Sequence, residues 1–337
     1  MKKLSCAIPG IFEYQETIIP EWVPGYTLLK IKQIGVCGTD IHAFEGTQPF
    51  FNYPRILGHE LAADIVKTSP NNGFTIGETV TVIPYFHCGM CIACRSGKTN
   101  CCTDIKVCGV HIDGAMQEYF LVPDCSLIHG KGLNYDELSL VEPLAIGAHG
   151  VRRAGIVPGE FALIIGAGPI GLGAMEFARI AGAEVIALDV NEKRLLFGRE
   201  KLGVKYSINA LDSNVQDQIE EITKGDMPIV VIDCTGNLNA INNAFKYMAH
   251  GARYVLIGLQ KDNITFNHPE FHKREGTLMS SRNATMEDFM HVISCMKEKK
   301  VNPLNYITHR IPFEYVSKEF TNISDPKNGV IKAMITM

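Results

Sequence analysis

The sequence predicts an α/β protein in two parts, a small β-barrel followed by a doubly wound parallel sheet with helices on both faces. Three observations carry that prediction. The first third of the chain alternates in hydrophobicity between turn-forming residues. The continuous apolar run Phe161–Ile165 then leads straight into Gly166-Ala167-Gly168-Pro169-Ile170-Gly171, and strand-like and helical patterns alternate from there to Ser280. At 337 residues the chain exceeds what one core usually fills, so two domains are expected.

Taken in order, the segments Tyr26 to Ile34, Ala62 to Lys67 and Thr79 to Ile83 read as half-buried strands. Pro20, Pro24, Pro70-Asn71-Asn72-Gly73 and Gly77 punctuate them, as in a small barrel. Between the strands lies Gly35-Val36-Cys37-Gly38-Thr39-Asp40-Ile41-His42. A Cys37 thiolate can bind zinc, the Thr39 hydroxyl can reach an oxygen on that zinc, and His42 can pass a proton to water. A cysteine in a Gly-flanked turn is more often plain packing. The odds change with Gly58-His59-Glu60, which supplies the imidazole and carboxylate that complete a zinc site beside one thiolate.

The chain has eleven cysteines, and five crowd together as Cys88, Cys91, Cys94, Cys101 and Cys102. The spacing of Cys88, Cys91, Cys94 and Cys102 suits one tetrahedral ion in a folded lobe, a structural zinc with no open position. Cys101 is the expected bystander, and packing accounts for Cys6, Cys108, Cys125, Cys234 and Cys295. Farther on, Glu142 stands in the mostly apolar run Val141 to His149. A buried carboxylate is costly unless it is paired. Glu142 is therefore a candidate fourth zinc ligand or a carboxylate holding the water on the metal, with a helix N-terminal charge as the plainer alternative.

In the second part, Gly166 suits a tight turn, Gly168 lets backbone approach a pyrophosphate, and Gly171 lets the helix starting near Pro169 and Ile170 pack on the strand. The next strand, Glu184 to Leu188, ends in Asp189. That acid is placed to hold the adenosine ribose hydroxyls and to repel a 2′-phosphate, which favours NAD over NADP. Arg194, which could accept such a phosphate, is read as lying along the adenine. The alternation continues with helix Glu192 to Leu202, strand Ile229 to Asp233, helix Leu238 to Ala249, and strands Arg253 to Gly258 and Thr277 to Ser280. A helix from Met286 to Lys299 and a β-like tail, Tyr306 to Ile311 and Val330 to Ile335, close the chain.

In order along nearly the whole sequence, Gly35 to Asp40 with His42, Gly58-His59-Glu60, the four-cysteine lobe, Glu142-Pro143-Leu144 with His149 and Arg152-Arg153, Gly166 to Gly171, and Asp189 resemble the zinc-dependent medium-chain dehydrogenases of the sorbitol and polyol branch. The resemblance implies a GroES-like catalytic domain over residues 1–145, completed by 285–337, and a Rossmann NAD-binding domain over 146–284. It also implies two zinc ions per chain, a catalytic one on Cys37, His59, Glu60 and Glu142, and a proton relay through Thr39 and His42. A dimer or tetramer is common in the family.

Within it, the segments Gln48–Arg55, Gly109–Gly114, Glu270–Glu275 and Ser281–Thr285 look closest to sugar-acid dehydrogenases acting on L-galactonate and to a related starvation-sensing oxidoreductase. A polyhydroxy acid needs a partner for its carboxylate, and Arg282 and His111 are the candidates. Oxidation of a neutral polyol or of L-threonine, or an NAD-binding regulatory role without turnover, are the alternatives. A net charge of −4 steers the chain toward neither nucleic acid nor membrane, and a small-molecule substrate is the expected partner. Pro9, Gly10 and Glu13 interrupt any apolar signal core, so a cytoplasmic location is expected.

Overall fold

The computed structural model describes residues 1–49 and 51–337; Phe50, within the segment Gln48–Arg55, lies outside the described residues. The chain divides into two compact units, Met1–Glu142 with Thr285–Met337, and Pro143–Ala284.

In the first unit the strand Tyr26–Gly35 is central because three of its faces and edges are used at once. It pairs antiparallel with Glu60–Lys67, Tyr119–Pro123 and the tail strand Lys332–Thr336. Thr79–Val82, Leu127–His129 and Ile307–Pro312 extend the sheet. Its inward residues, among them Leu29, Ile31, Leu61, Ile65, Val80 and Ile335, are 2% exposed or less and form one core. The alternation seen in the sequence matches burial only in part: Lys30 is exposed between buried Leu29 and Ile31, whereas Glu60–Ala63 and Val80–Val82 are buried without a break. The register sets Gly35 directly opposite both Glu60 and Met334. The end of the central strand therefore meets the start of one neighbour and the middle of the other.

In the second unit six parallel strands run in the order Tyr206–Asn209, Glu184–Asp189, Phe161–Ile165, Val230–Asp233, Arg253–Leu256, Thr277–Ser280. At the centre of the sheet both faces are covered: Val230–Asp233 is buried throughout, and Val230–Ile232 reads as an apolar run, whereas the edge strand Thr277–Ser280 is largely exposed. The strand order reverses beside Phe161–Ile165, where α/β sheets of this kind bind ligands.

Several local expectations are corrected. The short strand Tyr206–Asn209 and the helices Val215–Ile222 and Val316–Ser324 were not anticipated. The helix from Leu238 ends at Ala244 rather than Ala249. Phe245 instead enters a 3-10 turn and packs its ring on Tyr254, Phe266 and Phe271 at 5.1, 4.8 and 5.8 Å, so aromatic packing overrides the helical pattern. The helix from Met286 stops at Lys297, with Lys299 in the left-handed region at φ 57°. Among the described residues, no helix is long and apolar enough to cross a membrane.

Candidate metal and cofactor sites

The first cluster is assembled from three chain segments by the central register. Cys37 follows the strand end and is the N-cap of the helix Gly38–Glu45, so what read as a turn continues into a helix. Glu60 opens the neighbouring strand opposite Gly35, with His59 just before it. The donor atoms of Cys37, His59 and Glu60 all lie within 4.8 Å of one another. Gly35 is needed here for space, since a Cβ on it would stand 2.1 Å from Glu60 Oε2.

Two further residues, Asp40 and Lys332, hold this cluster. Asp40, fully buried, accepts the Cys37 N–H at 2.9 Å and the Gly58 N–H at 3.1 Å. Its Oδ1 also lies 3.9 Å from His59 Nδ1. That ring nitrogen is buried and has no hydrogen-bond partner. A metal-ligating imidazole usually presents its other nitrogen to a carboxylate, and Asp40 is placed for that. Lys332, on the tail strand and 2% exposed, donates from Nζ to both Glu60 oxygens at 2.7 and 2.6 Å and to the Val36 carbonyl at 3.0 Å. Burial works to discharge this lysine, but the Glu60 charge outweighs it and raises its pKa.

Glu142 is the second residue of the helix Val141–Ala154 and is 4% exposed, so it is both a first-turn acid and a buried one. It accepts a short hydrogen bond from the Tyr85 hydroxyl. Burial pushes its carboxyl up to about 7, against the pull of His59. For His59, burial favours the neutral ring, yet Cys37, Asp40 and Glu142 outweigh it and hold the imidazole well above its usual value.

The donor set fits a dication. A Cys37 thiolate and the Glu60 and Glu142 carboxylates would outnumber the Lys332 ammonium that pairs with Glu60. The anions around His59 favour a proton on its ring, and a divalent ion held by these residues would supply that positive charge instead. One sulfur, one imidazole nitrogen and carboxylate oxygen are ordinary zinc donors.

Thr39 and His42 lie three residues apart on the helix Gly38–Glu45 and so share a face. Thr39 is half-buried, whereas His42 is exposed, with Nδ1 3.1 Å from the Thr47 hydroxyl.

The Sγ atoms of Cys88, Cys91, Cys94 and Cys102 form a second group within 4.8 Å, and Cys101 is exposed outside it. Backbone N–H groups of Met90 and Cys91 point at Cys88 Sγ, both at 3.4 Å, and that of Asp104 at Cys102 Sγ, also 3.4 Å. Such donors favour thiolates: backbone hydrogen bonds bring Cys91 down to about 5. Burial and the neighbouring sulfurs push Cys94 up to about 12, a conflict that a bound cation removes. The lobe springs from a two-stranded ladder, Tyr85–Phe86 against Lys106–Val107. Of the scattered cysteines, Cys6, Cys108 and Cys295 are packed inside as expected, but Cys125 is exposed.

In the second unit, Gly166 adopts φ 96° at the end of the first strand, and a Cβ on Gly171 would meet the Gly166 carbonyl oxygen at 1.8 Å. At Gly168, the N-cap of the helix Pro169–Ile180, a Cβ would have only Arg194 Nη1 near it, at 4.0 Å. The turn thus leaves its open side at a helix N-terminus, with Pro169 and Ile170 in the first turn, which suits a phosphate. Asp189 accepts the Ala167 N–H at 2.5 Å and the Asn191 N–H at 2.7 Å, which fixes its carboxylate at the strand end. Arg194 Nη1 thus lies beside the glycine turn, whereas the sequence places this side chain along the adenine.

His111 and Arg282 are both exposed, His111 in the first unit and Arg282 in the second. His111 Nδ1 accepts the Val107 N–H at 3.1 Å. This favours the neutral tautomer with Nε2–H as donor, so its use toward a carboxylate is as a hydrogen-bond donor rather than as a cation.

Models of two families match the chain, the alcohol dehydrogenase GroES-like domain over residues 23–131 and the zinc-binding dehydrogenase over 169–298. L-galactonate-5-dehydrogenase of Escherichia coli strain K12 is 43% identical over 342 residues, covering 100% of this chain and 99% of its own. Among solved structures, one described as a short chain alcohol dehydrogenase from Escherichia coli CFT073, complexed with NADH, superposes with a TM-score of 0.93 at 28% identity, covering 100% of this chain and 99% of that one. A zinc-binding dehydrogenase from Sinorhizobium meliloti, bound to NADP, gives 0.91 at 25% identity, with the same coverage.

Proposed function

The chain belongs to the zinc-binding alcohol dehydrogenases with a GroES-like domain, and from that premise we propose that it oxidises a secondary alcohol of a polyhydroxy acid, an aldonate of the L-galactonate class, with NAD as acceptor. The observation that carries the substrate class is the end-to-end match, at 43% identity, to an L-galactonate-5-dehydrogenase. The observation that carries the chemistry is the cluster of half-buried Cys37 with buried His59 and Glu60, beside its balancing Lys332.

In this reading Cys37, His59 and Glu60 hold a catalytic zinc, with Glu142 beside them, and Cys88, Cys91, Cys94 and Cys102 hold a structural one. When bound, the catalytic zinc supplies Lewis acidity that makes a substrate hydroxyl acidic, and the nicotinamide takes up the hydride. The chain's own part is to place and to move protons. Thr39 accepts a hydrogen bond from the substrate hydroxyl and passes its proton along the shared helix face to His42, whose exposure lets it deliver that proton to water. Asp40 orients His59, and Gly35 leaves the space that Glu60 occupies. Asp189 binds the adenosine ribose hydroxyls, and Gly168, Pro169, Ile170 and Gly171 with Arg194 receive the pyrophosphate. Placing Arg194 at the turn leaves Asp189 to exclude a 2′-phosphate, which supports NAD.

The test is a substrate panel of aldonates, sorbitol and L-threonine, read as NAD reduction with NADP as the comparison. Turnover on L-galactonate or a related aldonate, with NAD far better than NADP, is expected. Arg282→Ala should raise KM for the aldonate on the order of 10- to 100-fold, the worth of one charge-assisted hydrogen bond, and leave a neutral polyol untouched. Turnover on sorbitol or L-threonine alone would reject the sugar-acid assignment. Equal losses on acid and polyol would reject a carboxylate role for Arg282.

A further inference from the structure

We propose that Tyr85 is a positioning residue that holds Glu142 back from the metal ligands and thereby keeps one coordination position open to substrate. This rests on reading Cys37, His59 and Glu60 as a zinc site.

Four observations converge on it. Tyr85 is 5% exposed, and its hydroxyl donates to Glu142 Oε1, so one carboxylate oxygen is already engaged by the protein. Cys37, His59 and Glu60 bring their donors within 4.8 Å of one another, and Glu142 does not join that group. Ligand atoms on a tetrahedral zinc lie about 3.3–3.8 Å apart, given metal–ligand lengths of about 2.0–2.3 Å. Glu142 thus stands outside the distance at which it would complete a tetrahedron. The tyrosine itself cannot easily follow the carboxylate, because its backbone pairs with Val107 at the base of the cysteine lobe and its ring meets the Phe289 ring edge-on at 6.3 Å.

The consequence is chemical. Three protein ligands with an open position make a catalytic zinc site, and four make a closed, structural one. A buried carboxylate freed from its donor seeks the nearest cation, since an unpaired buried charge is costly. Without the Tyr85 hydroxyl, Glu142 would move onto the ion and close the site. The same reading gives the cysteine lobe a role beyond stability, because its base strand is what carries Tyr85.

The experiment uses the full chain with zinc in the cysteine lobe and cobalt at the Cys37 cluster, so that azide binding is read from the visible d–d bands. In the wild type azide shifts those bands. Tyr85→Phe should weaken that response and slow cobalt loss to EDTA, each by about 10-fold or more, because a fourth protein ligand closes the open position. Adding Glu142→Gln to Tyr85→Phe should restore the azide response, because an amide is a poor ligand. A Tyr85→Phe protein that binds azide and loses cobalt like the wild type overturns the proposal and leaves Tyr85 a packing residue. A wild type that takes up no cobalt beyond the lobe overturns the metal reading itself, and this proposal with it.

Discussion

Replacing Lys332 by methionine is expected to destabilise the metal-free protein by about 3–5 kcal/mol, the usual cost of removing one partner from a buried ion pair. The lysine is 2% exposed and donates to both oxygens of a Glu60 that is itself fully buried. Methionine keeps most of the volume, so the loss isolates the charge. The melting temperature of the first unit should fall on the order of 10 °C. Added zinc should recover part of this, because an ion that binds only the folded state stabilises it by mass action. Zinc affinity should drop about 10- to 100-fold, as for other outer partners of ligating carboxylates. The control is Lys332→Met with Glu60→Gln, which removes both charges and should regain stability without regaining zinc. A Lys332→Met protein that melts like the wild type would show that Glu60 is neutral in the folded state, and the charge-balance argument for a dication would lose its main support.

The second large effect is expected from Cys94→Ser. Structural zinc in a small four-cysteine fold contributes on the order of 10 kcal/mol of local folding free energy. A segment of this length, lying between the paired strands Tyr85–Phe86 and Lys106–Val107, has little apolar core with which to replace it. Metal analysis should show one zinc fewer per chain, and limited proteolysis should cut between Gly89 and Thr103, where the wild type resists. Because the lobe's base carries Tyr85, kcat should also fall, about 10- to 100-fold. Unchanged zinc content would remove Cys94 from the ligand set. Lost zinc with unchanged kcat would separate the lobe from the chemistry.

What could be read from the sequence was whatever chemistry lies within a short stretch. The glycine turn, Asp189 and the four lobe cysteines each fall within a short stretch of chain, so their spacing alone suggests a use. The α/β fold class was legible for a related reason. Phe161–Ile165 and its parallel partners are buried on both faces and leave continuous apolar runs. Cys37, His59 and Glu60 were visible as types, but their meeting depends on the register that sets Gly35 against Glu60. Lys332 stands 272 residues from its partner, and only its presence in the apolar run Val330 to Ile335 hinted at a buried charge. Asp40 was hidden in the motif it stabilises; the spacing Cys37-x-x-Asp40 is that of a capping box with a cysteine at the cap. Tyr85 left no signal, since a tyrosine beside Phe86 reads as packing. Tyr206–Asn209 was missed because only Ile208 of its four residues is fully buried, which leaves no pattern to detect.

The measurement that tests the central claim most directly is zinc per chain, taken together with NAD reduction on an aldonate, for the wild type and for Cys37→Ala. Among the described residues, two clusters of metal-type donors lie in the first unit, read here as a structural and a catalytic zinc site. The account predicts two zinc ions in the wild type, one in the variant, and turnover lost with the missing ion. Turnover that survives in Cys37→Ala with a single zinc would contradict it.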